Sequence, residues 1–455
     1  MIERAEIEAK AAEFAIHTSN VQRDYVFGWL LSAIYSGSGL GEILVLKGGN
    51  CFRKGYFPNA RFSRDLDFAT QATVNENFLH EEFNKICDLA QERSGVMFDR
   101  DRNKVELQRE IDSRRSVYEV KLYFKDFYGN PEKFTISVTL DVTEFDRIYL
   151  PTQNRFLIHP YSDATVCSAE IRCLKLEEML AEKLKCLLQR REVSDLYDLA
   201  YSIFLNRDLA VDRSQVVSTF LRKTIFEPSP GVARQLLLEL PLGLLKAAWQ
   251  KYIICPIQSI LDFDFAIQQF QSFIAELFAP YGAATYGRFA YFPSALRVPI
   301  MQAGEERKLL RLTYDGVRRD VEPYSLVFKR RKDGFGQEYF YVYDRTGGHG
   351  NPGIKALLNT KIHDLEVLDQ SFVPRYAVEL SKAGEYLGAG YFARPFGSGR
   401  RRVVRPGWVY TYQCSFCNRT FRRRVANTTL KEHKDGYGNI CYGRVAYLVS
   451  QDYES

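Results

Sequence analysis

No apolar run in this chain reaches the ~18 residues that a membrane-spanning helix requires. The best candidate, Gln235 to Trp249, is broken by Glu239, Pro241 and Lys246. The N-terminus, Met1-Ile2-Glu3-Arg4-Ala5-Glu6, lacks the basic start and apolar core of a secretory leader. A soluble, cytoplasmic protein with no membrane partner is therefore expected. Cysteine is scarce, nine in 455 residues, and too irregularly spaced for a disulfide framework. Cys51, Cys87, Cys186 and Cys255 stand singly in apolar patterns and read as small buried hydrophobes. No repeat of fixed period is present, and no low-complexity tract apart from one arginine-rich segment. In that segment, residues 391–424, Asp and Glu are absent while Arg394, Arg400, Arg401, Arg402, Arg405, Arg419, Arg422, Arg423 and Arg424 all occur. The net charge is only +6, so the distribution of charge says more than its sum.

What is present is the composition of folded protein: 46% hydrophobic and 26% charged residues exclude a mainly disordered, collagen-like or coiled-coil chain. At about 100–200 residues per domain, the length predicts two to four packed units. Ile2 to Tyr35 has helical apolar spacing. Ile43 to Leu46 reads as a short strand running into Lys47-Gly48-Gly49-Asn50, with a helix beginning at Cys51. Further strands are expected over Phe62 to Phe68, Val117 to Phe124 and Phe134 to Val142, the last two paired across an Asn130-Pro131 turn, with a helix over Phe78 to Glu92. Helices follow over Leu174 to Arg191 and Asp195 to Phe204, then shorter ones from Asp212 to Leu277 divided by Pro228, Pro230 and Pro241. Beyond a Gly-, Ala- and Pro-rich linker the texture becomes alternating, as in Tyr339-Phe340-Tyr341-Val342-Tyr343. The expectation is an α+β multidomain chain: residues 1–205 a mixed sheet with helices, 206–290 a helical extension and linker, 295–385 a small β barrel, and 386–455 an arginine-rich segment with a zinc-finger-like module.

The chemistry is concentrated in Lys47-Gly48-Gly49-Asn50-Cys51-Phe52-Arg53 and Arg61-Phe62-Ser63-Arg64-Asp65-Leu66-Asp67-Phe68. Two glycines between a strand and a helix let backbone N–H groups approach a phosphate at the positive end of the helix. Asp65 and Asp67, two apart on a strand, project from one face while Leu66 and Phe68 point inward. Such a pair can hold Mg²⁺, and Asp141, placed at the end of the strand Phe134 to Leu140, is the expected third ligand. Taken singly, a Gly-Gly is usually a turn and an Asp-x-Asp a solvated strand edge. It is their order that points to phosphoryl chemistry.

These residues resemble the AbiEii/AbiGii-type toxin nucleotidyltransferases of the DNA polymerase beta superfamily, whose pattern is a Gly-Gly turn and then R-x-S-x-D-L-D-F. Leu176-Glu177-Glu178-Met179-Leu180-Ala181-Glu182-Lys183-Leu184 resembles the family's E-E-x-L-A-E-K-L helix, and Ser194-Asp195-Leu196-Tyr197-Asp198-Leu199 its R-D-x-Y-D-L segment. The four blocks cover roughly residues 40–205. Asn50 stands where Thr or Ser is common and Ser194 where Arg is common. Lys183, Leu187 and Arg190 share a helix face. In this light Lys183 would meet the triphosphate of an NTP substrate and Asp195 would orient it or the acceptor, while Lys47, Gly48, Gly49, Arg61, Ser63 and Arg190 would bind the nucleotide. The alternative for Glu178, Glu182 and Lys183 is a surface helix with solvated ion pairs.

Strands around Arg311 to Asp315, Val321 to Leu326, Glu338 to Asp344 and Lys361 to Val367 resemble a WYL domain, an Sm-like barrel that would sense a nucleotide or nucleic acid. A purely structural barrel is the alternative, and His349 and His363 read as turn and strand-end residues. Cys414-Ser415-Phe416-Cys417 followed by His433 and Cys441 has spacing suited to tetrahedral, structural Zn²⁺, in a segment too short to fold on its own apolar residues. The neighbouring arginines, with Trp408, Tyr410, Tyr412 and Phe421, are compatible with nucleic acid or simply with solvent.

The resemblance implies a Mg²⁺-dependent toxin of a type IV toxin–antitoxin or abortive-infection phage-defence system, paired with a cognate antitoxin. It would transfer NMP from an NTP to RNA, and the MenT members suggest the 3′ end of tRNA. A protein hydroxyl as acceptor and a nucleotide-sensing, nucleic-acid-binding regulator are the competing readings.

Overall fold

The computed structural model describes residues 2–454 except 111–114, 128–135, 206–209, 282–289, 331–335, 349, 385–406, 416, 418, 424, 432, 435–439 and 442. The Asn130-Pro131 turn, His349, Arg394, Arg400, Arg401, Arg402, Arg405 and Arg424 lie outside the described residues. The chain divides into two compact units, Met1–Tyr391 and Phe392–Ser455.

The first unit is built on a seven-stranded sheet of β1 (Leu44–Lys47), β2 (Asp65–Thr70), β3 (Lys104–Glu110), β4 (Ser116–Phe124), β5 (Ile136–Glu144), β6 (Gln153–Phe156) and β7 (Glu170–Cys173), in the order β3-β4-β5-β2-β1-β7-β6. β2 runs parallel to β5 and antiparallel to β1. One face packs on α2 (Thr18–Gly37) and α5 (Glu76–Ser94), which follow α1 (Arg4–Phe14), a single turn α3 (Leu40–Ile43) and the short α4 (Gly48–Cys51). α2 is buried nearly all round, with every residue from Tyr25 to Ile34 inaccessible, as expected of a helix apolar on all sides. α5 is amphipathic instead, burying Leu79, Phe83, Ile86, Cys87 and Ala90. Its ends are set by Asn75, whose side chain accepts from the Phe78 N–H, and by Gly95 in the left-handed conformation.

After the sheet come α6 (Leu176–Gln189), α7 (Val193–Ala200), α8 (Arg213–Lys223), α9 (Pro230–Leu238), α10 (Leu242–Tyr252) and α11 (Phe263–Leu277). Prolines delimit these pieces as expected: Pro230 opens α9 and Pro241 precedes α10. Their apolar faces, including Phe220, Leu237, Trp249 and Phe270, belong to the same core as the sheet.

Three details differ from expectation. The helix after β1 begins at Gly48, not Cys51, and continues as a π-helical turn over Phe52–Tyr56, so the glycines are its first turn. The strand expected from Phe62 begins at Asp65. Asp141 is not at a strand end, because β5 continues to Glu144. The edge strands β3 and β6 carry no clean alternation: Leu107 and Phe156 are exposed, and β6 is only four residues long.

A second core within this unit packs α12 (Ser294–Glu305) on a five-stranded antiparallel sheet where the small barrel was expected. Its strands are β8 (Lys308–Tyr314), β9 (Val317–Arg330), β10 (Gly336–Asp344), β11 (Gly353–Leu357) and β12 (Ile362–Ser371), ordered β11-β10-β9-β8-β12. Asp315 and Gly316, both at positive φ, form the two-residue hairpin turn between β8 and β9. A buried Arg297–Glu338 pair at 2.6 Å ties α12 to β10. The second unit holds β13 (Gly407–Cys414), β14 (Thr420–Arg423) and β17 (Ala446–Glu454) in one sheet, and β15 (His433–Lys434) paired with β16 (Ile440–Cys441). Among the described residues no helix is long and apolar enough to cross a membrane.

Leu66 is fully buried between the two aspartates of β2, whereas Leu107 on β3 is 42% exposed. Leu66→Ala is expected to cost about 2–5 kcal/mol in urea unfolding followed by near-UV circular dichroism. Leu107→Ala should stay within about 0.5 kcal/mol of the parent.

Candidate active site

The sheet register builds the site. Asp67 on β2 is paired with Asp141 on β5 and with Lys47 on β1, and Asp141 is paired in turn with Glu119 on β4 and Glu119 with Glu106 on β3. Register partners point to the same face, so one rung reads Glu106, Glu119, Asp141, Asp67, Lys47. Asp65 sits one rung away on the same face, opposite Thr139. Leu66, Phe68, Leu140 and Val142 point the other way into the core. Burial, followed by the charges of Asp65 and Asp141 and opposed by Lys47 and Lys183, pushes the Asp67 carboxyl up to about 7. Three carboxylates crowded in this way, one of them holding its proton to near neutrality, are a donor set suited to a hard divalent cation.

The glycines explain how the aspartates come so close to α4. Gly48 has φ +71, and a Cβ there would lie 2.0 Å from Asp67 Oδ2. At Gly49 a Cβ would meet Arg61 Nη2 and Ser63 Oγ, each at 2.9 Å. Either methyl group would displace a member of the site. Ser63 Oγ donates to Asp65 Oδ1 at 2.8 Å, and Asn50 Nδ2 donates to the Asp65 carbonyl at 2.5 Å. Asn50 Oδ1 is buried with no hydrogen-bond partner. Asn50 therefore fixes the start of β2 through its amide nitrogen.

Beside the carboxylates lies a buried ladder of alternating charge. Arg61 grips Asp198 with two bonds, 2.7 and 2.9 Å. Lys183 Nζ lies 2.8 Å from Asp198 and 3.0 Å from Asp195. Arg190 closes the ladder on Asp195 with bonds of 2.8 and 2.9 Å. Three cations thus share two carboxylates that are essentially inaccessible, Asp195 and Asp198, and Arg190 also lies 3.6 Å from Glu192, so the charges of the ladder balance. Burial opposes ionisation of Asp195, but Lys183 and Arg190 overcome it and hold its carboxyl down to about 2. Lys183 is likewise depressed by burial but raised overall by Asp198 and Asp195, so it remains charged.

Asp198 was legible only as one letter of a motif; its pairing with both Arg61 and Lys183 needs the fold. Asp146 was missed altogether. It follows β5 and forms a short ion pair with Lys47. Next to it Lys223 meets Glu178 and Glu182, and Glu178 accepts the N–H groups of Tyr149 and Leu150 at 3.1 and 2.8 Å. Glu178 and Glu182 therefore do not lie on a solvated surface helix: Glu178 is fully buried and anchors the segment that carries Asp146. Nothing in the local sequence around Lys223 signals this.

A family model described as "Nucleotidyl transferase AbiEii toxin, Type IV TA system" matches residues 29–266, just over half of the chain. The chain belongs to the AbiEii nucleotidyltransferase toxin family. This AbiEii protein is accordingly a nucleotidyltransferase that uses an NTP, and a toxin of the type IV toxin–antitoxin class. Among solved structures it is similar to MenT4, the nucleotidyltransferase toxin Rv2826c from Mycobacterium tuberculosis H37Rv, at 18% identity and a TM-score of 0.39, covering 61% of this chain and 90% of that one. No curated protein matches its sequence.

The second unit of this AbiEii protein carries a separate cluster. The ligand atoms of Cys414, Cys417, His433 and Cys441 all lie within 4.8 Å of one another. Cys414 Sγ is 3.8 Å from Cys441 Sγ, and Cys417 Sγ is 3.4 Å from His433 Nε2. His433 Nδ1 lies 2.9 Å from the Lys431 carbonyl, which orients the ring with Nε2 inward. The Gly443 N–H points at Cys441 Sγ. Among the described residues, the core around them consists of Tyr412, Leu430 and Ala446 with Cys414 and Cys441, and Tyr410, Cys417 and Phe421 pack against it.

Asp198→Asn would leave Arg61 and Lys183 buried around a neutral amide. A loss of about 3–5 kcal/mol is expected in chemical unfolding. A change below about 1 kcal/mol would show that the ladder is not the buried unit described.

Proposed function

We propose that this chain moves a nucleoside monophosphate from an NTP to an RNA acceptor, the 3′ end of tRNA being favoured, and releases pyrophosphate. The observation that carries the reading is the convergence of Asp65, Asp67 and Asp141 on one face beside Gly48, Gly49 and the Lys183 ladder. Asp65, Asp67 and Asp141 would hold Mg²⁺, which supplies charge neutralisation at the phosphates. The Gly48-Gly49 turn, Lys47, Arg61, Ser63 and Arg190 bind and orient the triphosphate. Lys183, kept charged, stabilises the negative charge that builds on the leaving pyrophosphate, and Asp195, 3.0 Å away, holds Lys183 in place. Asp146 does the same for Lys47. In the cell the enzyme would work in the cytoplasm, opposed by a cognate antitoxin, with the five-stranded sheet as a WYL-like sensing element.

Cys414, Cys417, His433 and Cys441 would hold structural Zn²⁺. Four protein ligands leave no open coordination position, so the ion would staple the unit rather than catalyse. The arginine-rich segment, 391–424 in the sequence, would contact RNA phosphates.

Purified protein incubated with Mg²⁺, each α-³²P-labelled NTP and a cell extract is expected to give RNase-sensitive label. The Asp65→Asn/Asp67→Asn variant should give none while keeping its far-UV circular dichroism. Protease-sensitive label would transfer the reading to a protein hydroxyl acceptor, and transfer retained by the double variant would sink the metal assignment.

Stripping zinc with 1,10-phenanthroline should release about one Zn²⁺ per chain and expose residues 407–454 to limited proteolysis while leaving the first unit protected. Unchanged digestion of that segment after chelation would contradict the staple.

A further inference from the structure

Two hydrophobic cores share the first unit, and the joint between them falls on the ends of α6 and α8. Tyr291 belongs to the core of the seven-stranded sheet, and the next residue, Phe292, to the core of the five-stranded one. Both are held from the side of the second core. The Tyr291 carbonyl accepts from Asn359 Nδ2 at 2.6 Å, its ring stacks on Phe328 of β9 with centroids 5.5 Å apart, and the Phe292 N–H donates to Glu338 at 2.7 Å. Tyr291 packs in turn on Phe226 at 5.4 Å, and its hydroxyl donates to the Ile225 carbonyl at 3.2 Å. The Ile225 N–H donates to the Gly384 carbonyl at 3.1 Å. Gly384 has φ +83, and a Cβ there would lie 3.3 Å from the Phe226 ring. Just before it, Leu380 and Ala383 are members of the second core, with Leu380 seated on Gly304 of α12. Both backbone groups of Ile225 are thus bonded to segments that the second core holds.

Ile225 lies two residues beyond Lys223, the last residue of α8. Lys223 Nζ donates to the Arg147 carbonyl and to Glu182, each at 2.5 Å, and pairs with Glu178. Arg147 directly follows Asp146, the partner of Lys47. Burial opposes the charge of Lys47, but Asp146 and then Glu182 overcome it. The two carboxylates that keep Lys47 charged are therefore the two that Lys223 steadies, one through a neighbouring carbonyl and one directly. α6, which carries Lys183, reaches the same joint. Its Leu188, with Arg191, Phe226, Arg297 and Ala383, lines a cavity of about 10 Å³, room for a single water. A joint packed so closely passes a displacement on instead of absorbing it.

We infer that Phe226 and Tyr291 are positioning residues for the nucleotide half of the site: through Ile225 and Lys223 the five-stranded core sets Asp146 and Glu182, and these set Lys47 beside Asp67. The inference rests on the reading that Lys47 binds the triphosphate. It also gives that reading a means of regulation, since a shift of the second core at Tyr291 would loosen the grip on the NTP without touching the three carboxylates.

The test is isothermal titration calorimetry of the full chain with Mg²⁺ and each of ATP, GTP, CTP and UTP, alongside hydrogen exchange of the Tyr149 and Leu150 amides that Glu178 holds. Wild type is compared with Phe226→Leu/Tyr291→Phe, with the milder Tyr291→Phe, and with Leu312→Ala, which opens the second core on β8 outside the joint. The double variant should bind its nucleotide at least about fivefold more weakly, Tyr291→Phe less so in the same direction, and Leu312→Ala within about twofold of wild type. Exchange at Tyr149 and Leu150 should quicken at least about fivefold in the double variant and stay unchanged in Leu312→Ala. In an Asp146→Asn background the double substitution should cost less than about twofold, because Lys47 has already lost the partner that Lys223 steadies. Equal nucleotide affinity in wild type and the double variant would overturn the inference. So would an equal loss in Leu312→Ala, which would make the effect one of general stability, or full additivity with Asp146→Asn. If wild type binds no nucleotide, the reading of Lys47 fails and exchange alone decides the joint: quickened exchange in the double variant sustains it, and unchanged exchange overturns it.

Discussion

Three carboxylates on one face of a twisted sheet repel one another, and everything around them serves to keep them there. The parallel pairing of β2 with β5 brings Asp67 and Asp141 side by side, and the apolar residues alternating with them, Leu66, Phe68, Leu140 and Val142, fix the register. A slip by one residue would turn the aspartates into the core and the leucines outward. Gly48 closes the site from above by allowing α4 to lie against Asp67 without a Cβ in the way. Folding thus supplies the crowding that an ion would relieve, which is how affinity for a cation can be stored in a strand register.

The same logic runs through the positive side. Lys183 and Arg61 would repel each other and lose much of their hydration in so buried a place, and Asp195 and Asp198 on α7 make their burial tolerable. α7 is held by α10 and α11, so the helices beyond residue 205 support Asp195 and Asp198 directly. Lys47 and Asp146 are steadied by the Glu178, Glu182 and Lys223 group, in which α8 contributes the lysine. The helical region is therefore part of the site's scaffold.

Much of this was legible in the sequence, and what was not has physical reasons. The Gly-Gly, Asp-x-Asp and Lys183 blocks could be recognised because each depends on local geometry: a turn, a strand period, a helix face. The four groups Cys414, Cys417, His433 and Cys441 were legible for a similar reason, since their residue types have few other uses at that spacing, and the structure does bring them together. Asp146, Glu119 and the dual role of Asp198 depend on which strands and helices become neighbours, and spacing along the chain does not encode that. The same holds for the exposed edges β3 and β6 and for the four-residue β7, whose pairing is decided by the rest of the sheet. Asp141 was placed by type and approximate position, but its place mid-strand, opposite Asp67, emerges only from the parallel register.

The account stands or falls on Asp141 completing a cation site with Asp65 and Asp67. The most direct measurement titrates Mn²⁺ into the protein and follows the free ion by electron paramagnetic resonance. Wild type should sequester the ion, and Asp141→Asn should weaken that binding at least about tenfold without altering the fold, as expected for loss of one ligand from a small carboxylate set. Identical Mn²⁺ binding by Asp141→Asn would contradict the three-carboxylate site on which the proposed mechanism rests.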